Sequence, residues 1–419
     1  MKLSNIGRRL VAAASTALAA LTIVSCGASN TVDVVFVTSN KQSPGQINVY
    51  YLDSESGALH QLVDSPYPSG GVNPVYEVTS PNGLNLYVAN HDDNTIVQFA
   101  IGTDGKLYPL NTVNTPGTEP VALAINPAGT QLYVLDYYSP AAPGEPSYTD
   151  LNPGPGSVSV FPINSDGSLG TPVSLGAANY LSVQCFPTNL AITPNGNFLY
   201  VTNTNAVVTT DAPPVSGTIP QLPASCPSSG TVSAFAVASA ANGGGLTALT
   251  GSPFTTGSGS EPTGIVADPD SGALYVTDAA LNQLYTFSIG SAGGLTLAAT
   301  TDTGTEPMGA VAVSTASAKY LYVSNYIDGS LSSYSLSGAA PSPIATSTAG
   351  ASGPLCMVID PDLQRFLYTA DYVGGLVGGA ELDPATGGLI QNQGSPYVTE
   401  GQPTCVAAVA QKQGKKNGL

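Results

Sequence analysis

The sequence predicts an all-β protein, a seven-bladed β-propeller with four antiparallel strands per blade. Three observations carry that prediction. A short stretch, Leu-Tyr-Val followed by a small residue and then Asn or Asp, starts at Leu86, Leu132, Leu199, Leu274 and Leu321, and, with Thr for Val, at Leu367. A degenerate seventh copy occupies 35–40. The central aromatics Phe36, Tyr87, Tyr133, Tyr200, Tyr275, Tyr322 and Tyr368 lie 51, 46, 67, 75, 47 and 46 residues apart, a period near 46 with two stretched intervals, as a repeat architecture with local insertions requires. The third observation is composition. With 47 Gly, 34 Pro and only 9% charged residues, and no helical period after residue 30, the chain has the material of strands and turns rather than of amphipathic helices.

Each repeat has the same parts in the same order. A short apolar run follows a proline, at 120–125, 187–192 and 262–267, and reads as the inner strand. A Pro-x-Gly turn comes next, at 127–129 and 194–196, and then the Leu-Tyr-Val strand. After a loop there is an alternating third strand, as at 157–161 and 231–235, then a Gly-rich turn (165–167, 293–294) and a weaker fourth strand. Four short strands rich in β-branched and aromatic residues, joined by Gly, Pro, Asn and Asp turns, make one antiparallel blade.

Residues 1–25 stand outside the repeats. Lys2, Arg8 and Arg9 precede an apolar run of small residues, the pattern of a secretory leader. It ends in Ile23-Val24-Ser25-Cys26-Gly27, which resembles a bacterial lipobox. That resemblance implies lipidation of Cys26, a membrane anchor through it, and, with Gly27 rather than Asp after the cysteine, the outer membrane of a two-membrane cell. Residues 26–33 read as a tether, 34–410 as the propeller and 411–419 as a disordered Lys-bearing tail. Blade 1 lacks an inner strand of its own, and the post-proline run at 403–409 supplies one, so the end of the chain closes the ring.

The long intervals locate insertions at 137–156 in blade 3 and 204–230 in blade 4, both between the second and third strands. Long loops of this kind are functional or disordered. They stand side by side on the face that also carries the loops entering each next blade, here the top face, where they form a lid or rim. Cys185 enters blade 4 and Cys226 sits within the second insertion, so they are expected partners, and Cys356 and Cys405 share one register position in blades 7 and 1 as a candidate second pair. Loss of the three leader cations leaves 7 basic against 27 acidic residues, a net charge of −20. Such a surface excludes nucleic acid as a partner.

The Leu-Tyr-Val-x-Asn repeat with its Pro-x-Gly turn resembles the bacterial lactonase-like (6-phosphogluconolactonase) propellers and their YVTN-repeat kin, over roughly 34–410. The resemblance implies His and Arg near the start of inner strands, as Pro-Arg-His. Here those places read Pro74-Val75-Tyr76, Pro120-Val121-Ala122, Pro187-Thr188-Asn189, Pro262-Thr263-Gly264, Pro307-Met308-Gly309, Pro354-Leu355-Cys356 and Pro403-Thr404-Cys405. None carries His or Arg, so the family's acid/base and anion-binding residues do not transfer. The top face offers other chemistry. His91 and Asp92 follow the second strand of blade 2, and Glu119, Glu261 and Glu306 precede inner-strand prolines; these are the candidate acid/base groups. Lys41, Tyr137, Tyr138, Tyr326 and Tyr372 are the candidate ligand contacts, since Tyr offers an apolar face and a polar tip. Asp136, Asp278 and Asp371 end second strands; they read first as turn caps and alternatively as oxygen ligands for Ca²⁺ or another divalent cation. The expected function is a cell-envelope lipoprotein presenting this face to a neutral sugar-type lactone, which it hydrolyses, or to a glycan or envelope protein, which it holds without chemistry.

Overall fold

The structure, a computed structural model, describes residues 31–40, 43–150, 152–204, 226, 229–347 and 352–411. The repeats fold as seven antiparallel sheets. Blade 2, with strands Pro74–Thr79, Asn85–Asn90, Thr95–Ile101 and Leu107–Asn114, is the simplest. Blade 3 begins at Thr118–Ile125, blade 4 at Pro187–Ile192, blade 5 at Pro262–Ala267, blade 6 at Pro307–Ser314 and blade 7 at Pro354–Ile359. Blade 1 is composite. The final strand Pro403–Ala410 is its inner strand and pairs antiparallel with Thr31–Ser39, from Asp33 opposite Ala410 to Ser39 opposite Pro403. That pairing starts the first strand three residues before position 34, and 26–30 then precede the sheet.

The Leu-Tyr-Val strand is second in each blade and has a neighbouring blade on both faces. All three residues must therefore be apolar or have their polar atoms satisfied, and Leu86, Tyr87 and Val88 are fully buried, as are their counterparts in blades 3 and 4. In four blades the tyrosine hydroxyl has a specific backbone acceptor, which phenylalanine could not use. Tyr87 donates to the Gly167 carbonyl at 2.7 Å, Tyr200 to Gly293 at 2.8 Å, Tyr322 to Gly387 at 3.0 Å and Tyr368 to Gly57 at 2.7 Å. Each acceptor lies in the turn between third and fourth strands of the following blade. That turn needs glycine on two counts: Gly57 has φ +66°, and a Cβ there would lie 2.4 Å from the Phe366 ring.

A β-bulge recurs where each inner strand meets its second strand. The residue after the proline lies at this bulge. Where it is Thr, it bonds to the next blade. Thr188 reaches the Pro262 carbonyl at 2.9 Å, Thr263 the Pro307 carbonyl at 2.6 Å and Thr404 the Pro74 carbonyl at 2.7 Å. Blades 7 and 1 are joined instead by the Cys356–Cys405 disulfide.

Two expected boundaries move. The second strand of blade 3 runs Gln131–Tyr138 and the third begins at Pro155, so the insertion is 139–154, with Tyr137 and Tyr138 inside the sheet. Tyr138 pairs with Thr118 of the inner strand, which carries the ladder that far. The third strand of blade 4 begins at Ser229. Of the second insertion only Thr204, Cys226, Ser229 and Gly230 lie among the described residues, and of the tail only Gln411.

Candidate functional site

Each blade places two residues around the top mouth. One follows the Asn or Asp that ends the second strand: His91, Tyr137, Thr204, Ala279, Tyr326 and Tyr372 in blades 2 to 7. The other precedes the inner-strand proline: Asn73, Glu119, Phe186, Glu261, Glu306 and Gly353. The backbone ties the two within a blade. The His91 N–H donates to the Asn73 carbonyl at 2.9 Å, Thr204 to Phe186 at 2.9 Å, Ala279 to Glu261 at 3.0 Å, Tyr326 to Glu306 at 2.9 Å and Tyr372 to Gly353 at 2.9 Å. Lys41 and Cys26 lie outside the described residues.

Among the described residues one sector of this double ring concentrates chemistry. His91 Nδ1 lies 2.8 Å from Asp92 Oδ1, and His91 Nε2 lies 3.8 Å from Glu119 Oε2 across the junction of blades 2 and 3. A carboxylate accepts only, so Nδ1–H donates to Asp92 and the other ring nitrogen, Nε2, is turned towards Glu119. The imidazole and the carboxyl are both partly open to solvent, at 27% and 34%. Burial pushes the Glu119 carboxyl above its ordinary value; His91 opposes that shift, and Asp150 and Asp92 add to it. Glu119 has φ +58°, and its N–H donates to Asn94 Oδ1 at 2.6 Å. Blade 6 repeats the device with Glu306, φ +55°, on Asn282 Oδ1 at 2.8 Å.

Next to this pair stands an aromatic wall. The Tyr137 ring lies 4.8 Å from Tyr138 and 5.7 Å from Phe186, centroid to centroid. Tyr138 is not a ligand contact. It is fully buried and donates to Asp150 Oδ1 at 3.0 Å, pinning the 139–154 insertion to blade 3. The insertion thereby adds Asp150 to the field of Glu119 and Tyr137. Cys185, beside Phe186, is bonded to Cys226, which fixes one point of the second insertion at the same sector. Phe186 occupies the pre-proline place of Glu119; a reading that looked there for acids passed over it.

The other candidates do not join the cluster. Glu261 and Glu306 stand in blades 5 and 6. Tyr326 is buried, with 9% of its surface exposed, and Tyr372 is half-buried in blade 7. Asp136, Asp278 and Asp371 are fully buried in three separate blades. Asp136 accepts from the Gly117 N–H at 3.0 Å, and Asp278 from the Glu261 and Leu281 N–H groups at 3.2 and 2.9 Å. Asp136 and Asp278 thus cap loops, and among the described residues no group of three or more His, Cys, Asp or Glu could hold a metal ion. Burial pushes the Asp136 carboxyl up to about 8 and that of Asp371 up to about 7. The folded state thus retains protons that the unfolded chain releases from 3.8 upward, and stability falls as pH rises through that window. Asn holds the same place in blades 2, 4 and 6. Asp136→Asn is expected to stabilise by on the order of 2 kcal/mol at pH 8 and to have little effect near pH 4, read by urea unfolding at both; an equal shift at both would refute the assignment.

Among the described residues a sugar phosphate finds no cation on the top face. Lys106, Lys319 and Arg365 are the only Lys or Arg among the described residues, and all lie on the opposite, bottom face, paired with Asp64, Asp268 with Asp270, and Glu381. A cavity of about 360 Å³ also opens at the bottom. Its lining is mainly Pro, Ala and aliphatic, and the Asp360 carboxylate in it is occupied by the N–H groups of Leu363, Gln364, Arg365 and Phe366.

The family model for lactonase, seven-bladed beta-propeller, matches residues 33–180 and 228–355, more than half of the chain. The chain belongs to the lactonase propeller family. Among curated relatives of this lactonase-family chain, the 6-phosphogluconolactonase of Xenorhabdus nematophila is 32% identical over 131 residues, 31% of the chain and 33% of that protein. That of Pectobacterium carotovorum subsp. carotovorum is 30% identical over 162 residues, 38% of the chain and 42% of that protein. The matches therefore span well under half the length of these relatives. The periplasmic gluconolactonase of Pseudomonas aeruginosa superposes with a TM-score of 0.70 at 20% identity, covering 91% of the chain and 100% of its own. A Lactobacillus plantarum protein gives 0.66 at 19%, covering 90% and 99%. At these identities the two structures share the fold.

Proposed function

We propose that this lactonase-family chain is a lipid-anchored envelope protein, held through Cys26, that hydrolyses uncharged sugar-type lactones on its top face between blades 2 and 4. The observation that carries the reading is the Asp92–His91–Glu119 arrangement, with His91 Nε2 facing Glu119 Oε2 at 3.8 Å. In the reaction a water oxygen attacks the lactone carbonyl carbon while Nε2 takes its proton. The tetrahedral adduct then breaks its bond to the ring oxygen, which takes a proton from Glu119, whose raised proton affinity suits it as the acid. The imidazolium returns a proton to Glu119, and the pair is restored. Tyr137 and Phe186 supply a flat apolar surface for the sugar ring. The hydroxy acid formed gives its carboxyl proton to solvent, and as an anion among Asp92, Asp93, Glu119 and Asp150 it is released with the help of repulsion.

The test is hydrolysis of matched phosphorylated and unphosphorylated lactones, corrected for spontaneous opening, at low and high salt. Saturable turnover of the uncharged substrate, with the phosphorylated one slower and partly rescued by salt, is expected. Rapid saturable turnover of the phosphorylated lactone would overturn the charge argument. A second reading has its own observation. The tops of blades 5, 6 and 7 expose Leu281, Ile327 and Val373, the last two to 62%, which suits a non-catalytic platform for a glycan or envelope protein. Retention of such a ligand without lactone turnover would favour it.

A further inference from the structure

We infer that the bottom face of the propeller stands against the lipid bilayer and that the top face is presented away from it. The inference rests on the lipid-anchor reading of Cys26 and adds an orientation to it. Strand direction carries the argument. In every blade the second strand runs from bottom to top, because the turn joining it to the inner strand is at the bottom and the His91/Tyr137 ring is at its top end. In blade 1 the second strand is Thr31–Ser39, so the chain enters the propeller at the bottom. Cys26 precedes Thr31 by five residues, and at about 3.5 Å per extended residue the acyl group lies within about 17 Å of that face. The top ring is a further ~20 Å away, the length of a six-residue strand.

The C-terminus leaves at the same end. The inner strand of blade 1 finishes at Ala410 opposite Asp33, and the Gln411 side chain donates to the Thr103 carbonyl in a bottom turn of blade 2 at 3.2 Å. Lys412, Lys415 and Lys416 follow. Lys106, Lys319 and Arg365, the Lys and Arg among the described residues, all lie at the bottom beside acids, and the sequence continues from Gln411 into those three lysines. The three folded cations are paired with acids, so the three lysines after Gln411 are the remaining source of attraction to acidic headgroups. A ligand therefore reaches the site from the aqueous side, and a lactone embedded in the anchoring leaflet does not.

The chain contains no Trp, so one introduced Trp is an unambiguous probe. Blade 7 offers two exposed positions on opposite faces, Leu363 at the bottom, 40% exposed, and Val373 at the top, 62% exposed. Full-length lipidated Leu363→Trp and Val373→Trp proteins are reconstituted on vesicles containing phosphatidylglycerol and a lipid with a dansylated headgroup. Energy transfer several-fold greater from position 363 than from 373 is expected, with none from either in the Cys26→Ser background. Vesicle flotation separates the two readings. A protein that floats but transfers equally from both positions, or more from 373, overturns the orientation and leaves the anchor intact. A protein that does not float overturns both.

Discussion

A chain ending at Gln402 is expected to be insoluble or to unfold without a cooperative transition, while one ending at Gln411 melts like the full-length protein. The first truncation removes the strand that fills the centre of blade 1. It bares the inner edge of Thr31–Ser39 along the whole pairing from Asp33 to Ser39 and exposes Phe36 and Val37, which are fully buried. It removes the Thr404 bond to Pro74 and the Thr79 bond to the Ala408 carbonyl. It also leaves Cys356 without its partner Cys405, a loss of about 2–4 kcal/mol for a typical disulfide. Against a total stability of about 5–15 kcal/mol for a domain, the combined loss exceeds what the fold holds, and an unpaired edge invites association. Circular dichroism melts and sedimentation of the two truncations decide it. A soluble Gln402-terminated protein with a sharp transition would refute the closure.

Glu119→Gln is expected to lower the turnover of an uncharged lactone by about 10²–10⁴-fold, the range for loss of a positioned proton donor, with His91→Ala in the same range. Glutamine keeps the shape and the left-handed backbone but carries no transferable proton. The double variant should fall little further than the worse single one, because the two groups pass the same proton and act as a unit. Both side chains are partly exposed, so the thermal transition should stay close to wild type and separate chemistry from folding. Unchanged kcat in both variants would place the reaction elsewhere on the top face or favour the binding platform.

The fold was legible because its repeated element is a packing solution visible in single residues. A strand buried on both faces is largely apolar, and in four blades its tyrosine hydroxyl is met by a backbone carbonyl in the next blade's turn at Gly57, Gly167, Gly293 or Gly387. Closure could be read from Pro403 because it matches the other inner strands. The site was legible only in part. His91, Glu119 and Tyr137 stood out as chemistry at loop positions, but their meeting depends on side chains of different blades crossing one junction. Asp150 is set by the fold of an insertion with no period, so nothing in its neighbourhood marked it. Glu77 was missed altogether. It replaces the apolar residue found three places after the proline in the other blades (Leu123, Leu190, Ile265, Ala310, Met357, Val406), and its carboxyl, buried and pushed well above its ordinary value, accepts from the Thr38 N–H at 3.2 Å. The break in the pattern was the available signal.

The positive φ of Glu119 sets stability against chemistry at one position. A residue with a Cβ held at φ +58° carries backbone strain of about 1 kcal/mol or more that glycine does not. Blade 7 shows the relaxed alternative, since Gly353 fills the same place at φ +66°. Glycine at 119 would ease the fold and abolish the acid in a single change. On the proposed mechanism, selection for thermal tolerance alone would therefore favour losing the acid at 119.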